Sequence, residues 1–135
     1  MNIIDKFALQ KHDGEYESWP LKSSLYYCGE ELGVEISGYV IDKQFELADY
    51  FLLFISWDCP FEETCEVYVL NKLKKIVSSY GFRAPYNSYN LLTVTELSNN
   101  HYKLIFSELD HFELVINYPK KHRLNKIITA SVIDV

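Results

Sequence analysis

Apolar positions along this chain recur with a period of two, in short runs broken about every ten residues by turn formers, a pattern that predicts successive β-strands. Residues 24–28 form one candidate strand. Glycines 29 and 33 then bracket a turn-like stretch, and Val34, Glu35, Ile36 and Ser37 alternate cleanly, with Gly38 as a candidate bulge. The strongest run lies within residues 45–57, where residues 50–55 (Tyr, Phe, Leu, Leu, Phe, Ile) are apolar on both faces. A strand of that kind has to be covered on both sides, which predicts the middle of a sheet or barrel. Candidate strands follow at 65–70, 76–80, 89–97, 101–107, 112–118 and 127–133. Hairpin signals stand at Ser98, Asn99 and Asn100 and at Glu108, Leu109 and Asp110.

The N-terminal segment, residues 1–22, reads differently. Ile4, Phe7, Ala8 and Lys11 stand at helical spacing and permit one short helix, and residues 12–22 are polar and irregular. No βαβ rhythm, internal repeat or Pro/Gly/Ser-rich linker interrupts the chain. The expectation is a single domain over residues 1–135, all-β and mainly antiparallel, a meander sandwich or barrel with at most one or two short helices.

Charge changes this picture more than overall composition does. Residues 1–70 hold 14 acids against 4 Lys or Arg, whereas residues 71–135 hold 5 acids against 9, giving a formal net charge of −6. That balance disfavours nucleic acid as the main partner. If the fold keeps the halves apart, one side is acidic and attracts a basic partner. The opening residues lack the basic start and apolar run of a secretory signal, and no apolar stretch is long enough to span a bilayer. Three cysteines, an odd count without framework spacing, fit free thiols in a reducing cytoplasm.

Candidate chemistry concentrates in the loop between the two most apolar strands. Asp58, Glu62, Glu63 and Glu66 stand there beside Trp57 and Phe61, a mixture of acids and aromatic anchors suited to burying a basic partner. Cys59 and Cys65 flank the same loop. Catalysis has less behind it: no nucleophile elbow or phosphate-binding glycine loop is present, and Cys59 with His101 or His111 and Asp110 lacks any diagnostic spacing. The four histidines and the cysteine pair lack metal-site spacing, although His101 and His111 flank one predicted hairpin. Residues 120–126, rich in Lys and Arg, read as a solvated connection that protects a sheet edge. No catalytic, cofactor-binding or metal-ligating residue is therefore assigned.

The run from Tyr50 to Leu70, an apolar strand, the acidic loop with Asp58, Cys59, Pro60, Phe61, Glu62 and Glu63, and a second strand, resembles small acidic bacterial proteins of the toxin-immunity type. The resemblance implies a non-catalytic inhibitor that covers the basic surface of a nuclease-like toxin, with Trp57, Asp58, Phe61, Glu62, Glu63 and Glu66 as the binding residues. The alternative from the residues themselves is a β-barrel or sandwich holding a small apolar ligand, because strands apolar on both faces can line a cavity.

Overall fold

The computed structural model describes residues 1–57, 64–82, 91, 93–106, 110–120 and 126–133. Among these, twelve strands alternate with turns: β1 (Asn2–Ile3), β2 (Phe7–Leu9), β3 (Lys22–Tyr27), β4 (Glu30–Ser37), β5 (Val40–Glu46), β6 (Tyr50–Ser56), β7 (Cys65–Asn71), β8 (Ile76–Phe82), β9 (Thr93–Ser98), β10 (His101–Ile105), β11 (His111–Ile116) and β12 (Ile128–Ile133). They form three antiparallel sheets, ordered β1-β5-β6-β7-β8, β12-β11-β10-β9 and β2-β3-β4. Each sheet is a meander of strands adjacent in sequence, apart from β1, which lies beside β5. Among the described residues none of the sheets closes on itself, so the architecture is a sandwich and not a barrel.

The apolar faces explain the layering. Side chains alternate along a strand, so β6 sends Leu52 and Phe54 to one side and Phe51, Leu53 and Ile55 to the other. The first set, with Val67 and Val69 of β7, packs on Tyr102, Leu104, Leu114 and Ile116 of the β9–β12 sheet. The second set, with Tyr68 and Leu70, packs on Phe7, Leu25 and Ile36 of the β2–β4 sheet. The five-stranded sheet is thus the middle of three layers, and residues 50–55 are buried throughout. The outer sheets each bury one face only; β10, for example, alternates half-buried and buried positions. One outer layer comes from residues 7–37 and the other from residues 93–133. Among the described residues the first carries six acids against two lysines and the second three acids against three lysines, so the acidic excess lies on the first layer.

Two devices let the chain change layers at its N-terminal side. Gly38, buried and with φ +122°, turns the corner from β4 to β5, which belong to different sheets. A Cβ there would collide with Ile55 Cγ2 and stand 3.1 Å from the Ser56 carbonyl oxygen. The candidate bulge at Gly38 is therefore a corner between layers. The second device is Gln44 of β5. Its side-chain oxygen accepts the backbone N–H groups of Lys6 (2.9 Å) and Phe7 (2.8 Å), and its Nε2 donates to the Phe7 carbonyl (3.0 Å). The amide holds the crossing between β1 and β2 in place and satisfies buried backbone groups that would otherwise be costly.

The helix expected around Ile4, Phe7, Ala8 and Lys11 does not form. Phe7 is instead drawn into the core, edge-on to Tyr27 (4.8 Å) and Phe51 (5.1 Å), and Ala8 and Leu9 pair with Tyr26 and Leu25 of β3. A nine-residue helix without a cap has little of its own to set against that burial. The one helical turn among the described residues is a 3₁₀ turn at Tyr16–Ser18, inside the segment expected to be irregular. The long run at 45–57 is divided by a turn at residues 47–49, closed by the Leu47 N–H on the Tyr50 carbonyl (2.9 Å). Asn100 takes the left-handed backbone expected of the 98–100 hairpin, with φ +66°.

Candidate partner-binding surface

The acidic loop between β6 and β7 is only partly described. Trp57 leaves the end of β6 half-buried; Asp58, Phe61, Glu62 and Glu63, like Cys59, lie outside the described residues. Glu66 departs from expectation. It stands within β7, 3% exposed, on the same side as Tyr68 and Leu70, so its carboxylate is not offered at an outer surface. The alternation that makes β7 a strand forces this, since Glu66 occupies an inward position next to Ile55 across the ladder. Cys65 points to the other core and is 1% exposed. Burial first, then the carboxylates of Asp42 and Glu66, push its thiol well above the ordinary range. It is held as a thiol, the unreactive form.

Trp57 is one member of a ring cluster that forms at this end of the molecule. Tyr39, two residues past the end of β4, is its centre, with ring centroids 5.1 Å from Trp57, 5.1 Å from Trp19, 5.3 Å from His12 and 5.6 Å from Tyr16. Most of these contacts are edge-on, the arrangement aromatic quadrupoles favour. Hydrogen bonds hold the rings in place. The Tyr39 hydroxyl donates to the Pro20 carbonyl (2.8 Å) and the Tyr16 hydroxyl to the Trp57 carbonyl (3.3 Å). Ser23 gives its proton to the Gly38 carbonyl (2.7 Å), so at 2.8 Å it accepts from His12 Nε2–H, which fixes the imidazole tautomer. Among the described residues the buried Trp19 Nε1 has no hydrogen-bond partner.

Acids surround this cluster. Asp13, Glu15 and Glu17 are exposed on the same short segment that supplies His12, Tyr16 and Trp19, and exposed Asp42 accepts the Ser56 hydroxyl at 3.1 Å. Acids interleaved with half-buried aromatics were expected in the loop after Trp57. Among the described residues the structure builds that combination from residues 12–19 and Tyr39. The Tyr16–Trp19 spacing within an acidic stretch was the available signal; the approach of Tyr39 had none, because it depends on the corner at Gly38. Beside the cluster, between β2 and β5, runs a cleft of ≈ 500 Å³ lined by residues that include Phe7, Leu9, Trp19, Tyr39 and Ile41.

The opposite end of the middle sheet carries a more polar cavity of ≈ 610 Å³, with Glu46, Asp49, Tyr50, Lys72, Glu96 and Asn100 in its wall. Tyr50 donates to Asn100 Oδ1 (2.8 Å), which leaves Tyr102 to donate to the Tyr50 oxygen at 2.6 Å. Burial pushes both hydroxyls up. The consequence is an alkaline instability. The unfolded chain releases a cysteine proton near pH 8.5 and tyrosine protons near pH 10, whereas the folded chain retains those of Cys65, Tyr50 and Tyr102 (approximate unfolded values). Stability is full below that range and falls as pH rises through it, by about 1.4 kcal/mol per pH unit for each such group. Urea midpoints measured from roughly pH 8 to 11 should fall accordingly, and Tyr50→Phe should flatten the curve. A level profile would contradict the burial of these groups.

The histidines do not converge. The β10–β11 register sets His101 opposite Val115 and His111 opposite Ile105, at the two ends of the pair, and His101 Nδ1 lies 2.9 Å from Glu113 Oε1. Among the described residues no group of three His, Cys, Asp or Glu side chains is placed to hold a metal ion, and no helix is long and apolar enough to cross a membrane. Of the basic connection only Lys120 and Lys126 are described. Compared with known proteins, the chain matches no family model, no curated protein and no solved structure.

Proposed function

We propose that this is a non-catalytic binding protein that captures a basic protein partner in the cytoplasm, in the manner of an immunity protein neutralising a toxin. The observation that carries the reading is the ring cluster of His12, Tyr16, Trp19, Tyr39 and Trp57 set among Asp13, Glu15 and Glu17. Ordered aromatics cost little side-chain entropy to bury, and acids around them steer a cationic surface into place. Asp58, Phe61, Glu62 and Glu63 belong to this reading through their position after Trp57. Glu66, buried, does not. The apolar faces of β6, which suggested a ligand cavity, are both occupied by the protein's own cores.

The test is capture from the host at low and high salt, followed by association kinetics with the basic protein recovered. Reversing Asp13, Glu15 and Glu17 together to lysine should slow association at least about tenfold at low salt while leaving the melting temperature nearly unchanged. For a toxin partner, expressing the wild-type chain should restore growth and the reversed variant should not. Unchanged kinetics in the triple variant, or association indifferent to salt, would refute the reading.

A further inference from the structure

Among the described residues, the cleft between β2 and β5 is bordered by two strand edges that no further strand pairs along their full length. In β2 the backbone faces alternate. The Lys6 carbonyl accepts the Cys28 N–H (2.8 Å) and the Gln10 N–H donates to the Ser24 carbonyl (2.9 Å), so Ala8 between them addresses β3, while the Lys6 N–H already turns to Gln44. Odd-numbered residues address the cleft. Phe7 does so visibly, because Gln44 takes both its N–H and its carbonyl. Leu9 is next in the same direction, and among the described residues no strand lies on that side of β2, an edge of its sheet. In β5 the partner β1 reaches Phe45 and Glu46 by register and Gln44 by the Ile4 N–H, and among the described residues its pairing stops short of Val40 and Ile41. Leu9, Val40 and Ile41 all line the cleft.

We propose that this cleft takes up an extended, basic segment of the partner protein as an additional strand on β2. Backbone donors and acceptors on an open edge are satisfied by another extended backbone, which is how β-strand addition gains affinity. The Gln44 side chain already performs this at Phe7: its amide makes the two hydrogen bonds that a neighbouring strand residue would make. The occupant's charge follows from the lining, where exposed Asp5 and Asp13 stand toward the two ends and, among the described residues, Lys11 is the one Lys or Arg. At one end Trp19, Tyr39 and His12 present rings on which an arginine or lysine of the segment can rest. The inference rests on the proposed function, and it goes further by naming the form in which the partner binds.

The experiment uses the whole chain and three synthetic hexapeptides, blocked at both ends: alternating arginine and valine, the same sequence with alternate backbone nitrogens methylated, and alternating glutamate and valine. Backbone amide exchange is followed residue by residue. The arginine peptide should slow exchange at Leu9 by about tenfold or more while leaving Ala8, already directed at β3, unchanged. The methylated and glutamate peptides should not. Leu9→Pro, which removes the cleft-facing N–H, should abolish the effect. The methylated peptide gives the same information without altering the protein, should that variant fold poorly. Equal binding of the methylated peptide, protection confined to residues around Tyr16 and Trp57, or no protection at millimolar peptide would each overturn strand addition. The proposed function fails separately, through the charge-reversed triple variant.

Discussion

Gly38→Ala is expected to lower stability by about 4 kcal/mol, a large share of the roughly 5–15 kcal/mol that holds an ordinary domain folded. Two costs combine at that position. A backbone with φ +122° is essentially reserved for glycine, and forcing another residue into it costs about 1–3 kcal/mol. The new methyl also has nowhere to go, because Ile55 Cγ2 occupies its place and Ser56 backbone stands behind it. Overpacking a filled site costs about 1–3 kcal/mol more. Urea denaturation of the single variants and of Gly38→Ala with Ile55→Ala separates the two. The double variant should cost less than the sum of the singles by the steric share, leaving the backbone strain behind. A loss below about 1 kcal/mol in Gly38→Ala would mean that the chain does not turn between layers at this residue.

The second expectation concerns two neighbours in β6. Leu53→Ala should cost about 2–5 kcal/mol and Phe54→Ala about 3–5 kcal/mol, since both side chains are 0% exposed. In a two-layer sandwich one of two adjacent strand residues faces solvent, and its truncation is cheap. Here Leu53 lies under the β2–β4 sheet and Phe54 under the β9–β12 sheet, so neither is. Denaturant midpoints at unchanged slope would test both faces at once. A cost under about 1 kcal/mol at either residue would show that its side of the middle sheet is uncovered.

These residues also mark how far the sequence could be read. Residues 50–55, apolar at every position, required two covers, and the structure provides them. The pattern did not say whether the covers were separate sheets or the walls of a barrel, because a strand records only that its faces are dry. The hairpin at 98–100 was readable from Asn99 and Asn100, whose backbone preferences are local. The first nine residues were misread because Phe7 is fixed by partners far along the chain, Tyr27, Gln44 and Phe51, and none of these alters the local spacing. The candidate surface was half legible. The acid–aromatic character was visible in composition, but its position was assigned to the loop after Trp57, while the described cluster gathers His12, Tyr16, Trp19 and Tyr39 from segments that meet only in the fold. Glu66 differs from expectation for a simpler reason: it continues the alternation of a buried strand, although its charge is that of the loop residues before it.

The layering has a consequence for how the molecule can be cut. Deleting the chain up to Ser37 would strip one cover from the middle sheet and leave Phe51, Leu53, Ile55 and Leu70 facing water as a continuous greasy plane. Deleting residues from Thr93 onward would do the same to Leu52, Phe54, Val67 and Val69 on the reverse. Neither remnant is expected to fold by itself. Although each sheet is stitched from neighbours in sequence, each outer sheet shares a buried core with the middle one, and a single cooperative melting transition is the expected result.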